Sequence, residues 1–156
     1  MSDTKILNHV KTSLKKKFEM IDLGFLHYFL GLQVLQTNEG IFLSQSKYAC
    51  GLLRHFHMDD CKPTPSPFQF GVNLVATCTS PEFDATVYHQ LVGSLLYLTH
   101  TRPNLSFAIG RVSRYMQTSH ESHWKAAKRI LRYVHGTVQF GIHYSSGGDS
   151  LIGWFH

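Results

Sequence analysis

Prolines at positions 63, 65 and 67 constrain this chain more than any other feature of it. Each fixes its own φ near about −65° and biases the residue before it away from the helical region. The stretch Cys61-Lys62-Pro63-Thr64-Pro65-Ser66-Pro67 can therefore be neither helix nor sheet interior, and is expected to be a stiff extended segment. It separates two stretches of a 156-residue chain, a length that suits one domain or two small subdomains sharing a core. Hydrophobic residues make up 43% and charged residues 16%, enough for a dense core and unlike a disordered tail.

Before the prolines, Asp3 is a good N-cap, and Ile6, Val10, Leu14 and Phe18 form one apolar stripe behind it, with Lys11, Lys15, Lys16 and Lys17 mostly off it. The spacing predicts a helix over 4–18. Residues 26–35 are apolar and β-prone, Asn38-Glu39-Gly40 is a turn, and Ile41-Phe42-Leu43 resumes the run, which predicts a hairpin. Gly31 inside the first strand marks a bulge or a close backbone approach. Ser44 or Ser46 is expected to cap the next helix, with Tyr48, Leu52, Leu53 and Phe56 inward and an end near residue 57.

Beyond the prolines, 68–81 reads as loop. Asp84 opens a helix with Tyr88, Leu91, Val92, Leu95 and Leu96 inward, and Gly93-Ser94 is expected to admit a neighbouring helix. Pro103 suits a first helical position, and Phe107, Ala108, Val112, Tyr115 and Met116 form that helix's apolar face. Ser119 or Ser122 caps the last helix, on which Trp124, Ala127, Leu131 and Val134 face inward until Gly136 ends it. Residues 140–144 and 151–155 alternate around a Ser/Gly-rich turn as a terminal hairpin, which is marginal without a sheet to join.

The charge is lopsided. Residues 1–84 hold eight cations and eight anions, whereas 85–140 hold seven cations against Glu121 alone. Lys125, Lys128, Arg129 and Arg132 fall at i, i+3, i+4 and i+7, one face of the last helix, with Arg111 and Arg114 one helix earlier. A localised basic field is the footprint of a polyanion partner, and these six are the candidate nucleic-acid contacts, though a merely solvated face is equally consistent with the spacing.

Other constellations carry less. Asp59-Asp60 resembles a metal-holding pair, but it runs into the proline segment, where no strand can pair, and reads as a solvated helix exit. His55-x-His57 and His120-x-x-His123 lack further ligands for zinc and read as exposed or interfacial. No nucleophile frame or glycine-rich phosphate loop occurs. The expectation is no catalytic residue and no metal site. The apolar run 91–98 is far shorter than the ~20 residues a bilayer crossing needs. No signal-peptide core follows Met1, and Cys50, Cys61 and Cys78 cannot all pair. An intracellular, non-secreted chain with no membrane partner is expected.

Several blocks carry a resemblance: Phe18-Glu19-Met20-x-Asp22-Leu23-Gly24, Leu26-His27-Tyr28-Phe29-Leu30-Gly31, Gly40-Ile41-Phe42-Leu43-Ser44-Gln45, Asp60-Cys61-Lys62-Pro63, Leu91-Val92-Gly93-Ser94-Leu95-Leu96-Tyr97-Leu98, Thr101-Arg102-Pro103 and His123-Trp124-x-Ala126-Ala127-Lys128-Arg129-Ile130-Leu131-Arg132-Tyr133. In this order they resemble the part of copia-type LTR retrotransposon reverse transcriptases just downstream of the active site. The resemblance implies an α+β fold: a helix and hairpin ending the polymerase palm (1–43), a helical thumb-like region (44–140, with a loop at 61–83), and a truncated hairpin (141–156) leading toward a ribonuclease H domain. It implies that Phe29, Leu30, Gly31 and Leu32 are primer-grip-like and that the partner is an RNA–DNA or DNA template–primer duplex, held without regard to sequence. The remaining palm and fingers and the ribonuclease H portion of the polyprotein would be protein partners.

The family's Tyr-x-Asp-Asp motif, which holds magnesium in the full-length enzymes, is not among these residues. The expectation is a cofactor-free fragment that lacks the catalytic aspartates, is inactive as a polymerase on its own, and at most binds duplex. The rival readings are an unrecognised small enzyme, a helical protein-interaction module, and a decayed remnant with an unpaired hairpin edge.

Overall fold

The proline segment lies along the last long helix, where Arg132 and Pro63 hold it. The computed structural model describes residues 2–21, 24–69, 71–72, 74–75 and 80–145. In chain order these form α1 (Ser2–Lys17), β1 (Tyr28–Phe29), β2 (Leu32–Thr37), β3 (Gly40–Ser44), α2 (Ser46–His55), α3 (Ala85–Leu98), a 3-10 turn (Pro103–Leu105), α4 (Ser106–Ser113), α5 (Glu121–Gly136) and β4 (Gly141–Ser145). The fold is mixed α+β, with five α-helices and a four-stranded antiparallel sheet among the described residues.

The sheet differs from the expected hairpin in two ways. Residues 26–35 do not form one strand, because Leu30 (φ 48°) and Gly31 (φ 80°) both take left-handed backbone and turn β1 back on β2 with Phe29 opposite Leu32. Two consecutive positive φ values make the primed turn that matches strand twist. Gly31 is thus a turn residue, not a bulge, and the close approach is real: the Tyr97 hydroxyl of α3 stands where a Cβ would go. Secondly, the outer edge of β3 is not bare. Strand β4 pairs along it from Gly40 opposite Ser145 to Ser44 opposite Gly141. The expected terminal hairpin therefore contributes its first strand to the existing sheet, and 151–155 lie outside the described residues.

Helix α1 begins at Ser2, so Asp3, expected as its cap, lies within it. Its stripe of Ile6, Val10, Leu14 and Phe18 stays exposed. The helical core forms instead around Tyr88, Leu91, Val92, Leu95 and Leu98 of α3, which pack with Ala108, Ile109 and Val112 of α4 and with Ala127, Ile130, Leu131 and Val134 of α5. Full burial of each large aliphatic among them contributes about 1.5–3 kcal/mol. Two expected core members are displaced. Leu96 and Phe107 face solvent, the latter 69% exposed, while Leu98 and Ile109 take the inward positions. The helical period places a stripe, but its centre is set by the neighbouring helices. Gly93 is exposed and has open space where a Cβ would stand, so no helix approaches there.

Caps follow the same lesson. Asp84 accepts from the backbone of Thr86 and Val87, as its type predicts. Neither Ser44 nor Ser46 caps α2; Gln33 of β2 reaches across and accepts from Lys47 N–H at 2.9 Å. Ser44 is buried in β3, which removes it from the helix end. Neither Ser119 nor Ser122 caps α5, whose first turn is closed by a histidine pair instead.

Candidate nucleic-acid interface

The basic face of α5 is real but not wholly solvated. Arg132 Nε donates to the Lys62 carbonyl at 2.7 Å, Thr64 N–H donates back to the Arg132 carbonyl, and Arg129 reaches Ser66 Oγ at 3.4 Å. Pro63 packs where a Cβ on Gly136 would stand. The stiff segment is thus strapped along the helix by two of the four candidate cations. Between the residues that follow the strap and the helix lies a groove of about 220 Å³, lined by Phe68, Gln69, Val72, Ser122, Ala126 and the cations Lys125, Arg129 and Arg132. No carboxylate lines it among the described residues. Lys125 pairs with Glu121 at 3.1 Å on the exposed helix surface, an interaction of ~0–1 kcal/mol that a phosphate can displace.

The other candidates fall outside this groove. Lys128 lies 5.9 Å from the Trp124 ring, where cation–π attraction holds it to one side. Arg111 has its guanidinium 5.5 Å from the Phe68 ring, in a second cleft sharing Phe68 and Val72 with the groove. Arg114 is exposed at the end of α4 and lines neither.

Phe29, Leu30, Gly31 and Leu32 form the tip of a tight hairpin, apart from both clefts. Leu30 is 75% exposed in a conformation that costs a non-glycine residue about 1–3 kcal/mol. The tip is held by α3: the Tyr97 hydroxyl donates to the Leu30 carbonyl, and Tyr48 packs edge-on against Tyr97 at 4.7 Å. Gln45 donates to the Tyr97 carbonyl and accepts from Thr101, so the tip is tied into the helical core. Gln45, Tyr97 and Thr101 stand in three of the blocks that carry the family resemblance, but no local pattern marks a hydroxyl whose partner is 67 positions away.

Asp59 and Asp60 are exposed in the turn after α2. No group of three or more potential metal ligands converges among the described residues. The histidine pair in α5 departs from expectation. His123 is fully buried and stacks on Tyr115 at 4.0 Å, while His120 is half-buried against Ser80. His123 Nδ1 accepts from His120 N–H at 3.1 Å, so Nε2 carries the proton and donates to the Val75 carbonyl at 3.0 Å. Both nitrogens serve the neutral ring, and burial pushes its pKa below the usual imidazole value.

The unfolded chain therefore takes up this proton more readily than the folded one. Its contribution is complete above about pH 6.5 and is lost as pH falls from there through the depressed value. His123→Asn, which keeps an acceptor near the Nδ1 position, is expected to cost about 1–2 kcal/mol at pH 7.5 and distinctly less at pH 5. Urea unfolding of both forms at the two values measures the narrowing; an equal gap at both would contradict it.

The sequence profile described as "Reverse transcriptase (RNA-dependent DNA polymerase)" matches residues 1–69. The chain is 38% identical over 146 residues to the retrovirus-related Pol polyprotein from transposon RE2 of Arabidopsis thaliana, covering 94% of this chain and 10% of that protein. It is 35% identical over 145 residues to the Pol polyprotein from transposon TNT 1-94 of Nicotiana tabacum, covering 87% and 11%. An uncharacterized mitochondrial protein of Arabidopsis thaliana is 40% identical over 143 residues, covering 91% of this chain and 59% of its own length. The chain belongs to the reverse transcriptase region of copia-type retrotransposon Pol polyproteins. It spans about a tenth of the transposon polyproteins it matches. No solved structure matches it. No described helix is long and apolar enough to cross a membrane.

Proposed function

We propose that these residues hold a template–primer duplex and perform no phosphoryl transfer by themselves. The observation that carries this reading is the groove of three cations with no lining carboxylate among the described residues, in a chain of reverse transcriptase ancestry. Contacts of this kind neutralise phosphates and fix position without reading bases. Residues 1–43 serve as the end of the palm, presenting Phe29, Leu30, Gly31 and Leu32 toward the primer strand. Residues 44–140 serve as the thumb, and 141–156 lead toward a ribonuclease H domain. The exposed stripe of Ile6, Val10 and Leu14 on α1, continued by Phe18 just past its end, supports docking against the rest of the palm, since a contiguous exposed apolar stripe marks an interaction surface. Transfer of a phosphoryl group needs metal-held carboxylates in line with the reacting atoms, and the resemblance to copia-type enzymes implies that the Tyr-x-Asp-Asp ligands lie upstream of these residues.

Binding to an RNA–DNA duplex is expected to be weak, independent of sequence and steeply salt-dependent. Neutralising about four phosphates gives a slope of log K on log salt of roughly −3 to −4. Replacing Lys125, Lys128, Arg129 and Arg132 together by Ala flattens the slope. Lys125→Ala, which removes the one groove cation not engaged with the strap, lowers its magnitude by about 1. Fluorescence anisotropy over a salt series reads this directly. An unchanged slope removes α5 from the account, and magnesium-dependent primer extension by the purified chain refutes the absence of catalysis. Salt-insensitive self-association without nucleic-acid affinity would favour a protein-interaction module.

A further inference from the structure

The cleft next to the cationic groove is of a different chemical character. It encloses about 370 Å³, within the range of small-ligand sites, and its walls include Phe68, Val72, Asn104, Phe107, Ala108 and Arg111. Phe68 and Val72 are shared with the groove, so an apolar compartment and a cationic one lie on two sides of one wall. Phe107 stands on α4 with its ring 5.9 Å from that of Phe68 and nearly perpendicular to it (86°). At 69% exposure it presents a ring to solvent from a rigid helix, and Arg111 lies over Phe68 close by.

An aromatic face beside a phosphate-neutralising groove is the pairing that binds single-stranded nucleic acid: the backbone follows the cations and the bases stack on the ring. A base within a duplex cannot do this, because its faces are covered by its neighbours. We infer that the Phe68–Phe107 cleft takes an unpaired nucleobase from a single strand whose backbone lies in the Lys125–Arg129–Arg132 groove. This rests on the reading of that groove as a phosphate site. Stacking is indifferent to base identity, so the site accepts any sequence, and its natural occupant is an unpaired stretch next to the duplex.

The test compares a short labelled oligothymidylate with a blunt RNA–DNA duplex, binding each to the whole chain at one salt concentration and then over a salt series. Phe107→Ala is expected to weaken the single strand by about 5- to 100-fold and to leave duplex affinity unchanged. The single-strand salt slope stays the same, because a ring releases no counterions. Phe107→Trp restores or exceeds the original single-strand affinity. Phe107 is exposed, so neither substitution disturbs the core, and circular dichroism verifies that. Unaltered single-strand affinity in Phe107→Ala, or an equal loss on the duplex, overturns the inference. If Lys125→Ala still lowers the slope in that event, the groove stands and only the base site falls. If no nucleic acid binds at all, both fall together.

Discussion

Arg102→Ala is expected to cost about 3–4 kcal/mol of folding stability, more than loss of any single groove cation. Arg102 is 2% exposed, and no carboxylate pairs with it among the described residues. Burial lowers its pKa from the ordinary value, yet a guanidinium stays charged inside a protein. The charge is held by donation from Nη1 to the Thr137 carbonyl at 2.8 Å and from Nη2 to Thr137 Oγ1 at 2.6 Å. The rings of Phe140 (5.3 Å) and Tyr133 (5.9 Å) flank the same group. One planar cation therefore clamps the segment entering α4 to the end of α5. Alanine removes every one of these contacts and leaves both a void and an unpaired carbonyl. Arg102→Lys keeps the charge but not the fork, and should cost about 2 kcal/mol, because a point charge cannot reach both oxygens and face both rings. Urea unfolding measures both; an alanine variant within 1 kcal/mol of the original would show that desolvation of the charge cancels its contacts.

The parts legible in the sequence are those that one local period determines. The i, i+3, i+4, i+7 spacing put Lys125, Lys128, Arg129 and Arg132 on one face of α5, and the helical period placed α1, α3 and α5 to within a few residues. The parts that were not legible depend on partners far along the chain. Arg132 and Arg129 meet Lys62 and Ser66 across 70 and 63 positions, so nothing near α5 announced that the strap would narrow its cationic face into a groove. His120-x-x-His123 reads from sequence as exposed or interfacial, and the choice between the two rests on distant partners, because the Val75 carbonyl and the Tyr115 ring make burial of a neutral His123 favourable. Leu30 looked like a strand residue, because its side chain does not favour the left-handed backbone that Gly31 and Tyr97 together enforce. The resemblance to copia-type reverse transcriptases came through because it rests on residue identities in order, which do not require the fold to be solved first.

Gly40→Val is expected to detach β4 from the sheet at a cost of about 3 kcal/mol or more. Gly40 has φ 149°, outside the range a β-branched residue adopts readily, and it faces Thr37 on β2 and Ser145 on β4. A Cβ there would run into the Tyr144 carbonyl oxygen and come within 2.9 Å of Ser145 Cα. These are backbone atoms of the partner strand, so no side-chain rotation relieves the contact, and β4 itself must move away. Pairing of Gly141 with Ser44 goes with it, because Gly141 sits directly against the Leu43 carbonyl and the Phe42 ring. Hydrogen exchange should show amides of 141–145 losing protection, while those of α3 and α5, whose packing does not involve Gly40, keep theirs. Since β4 follows α5 after only a few residues, its release also frees β3 to pair with other chains, and the variant should aggregate more readily than the original. Retained protection across 141–145 would mean that the sheet tolerates a side chain at this position, and that β4 is held by contacts other than its register on β3.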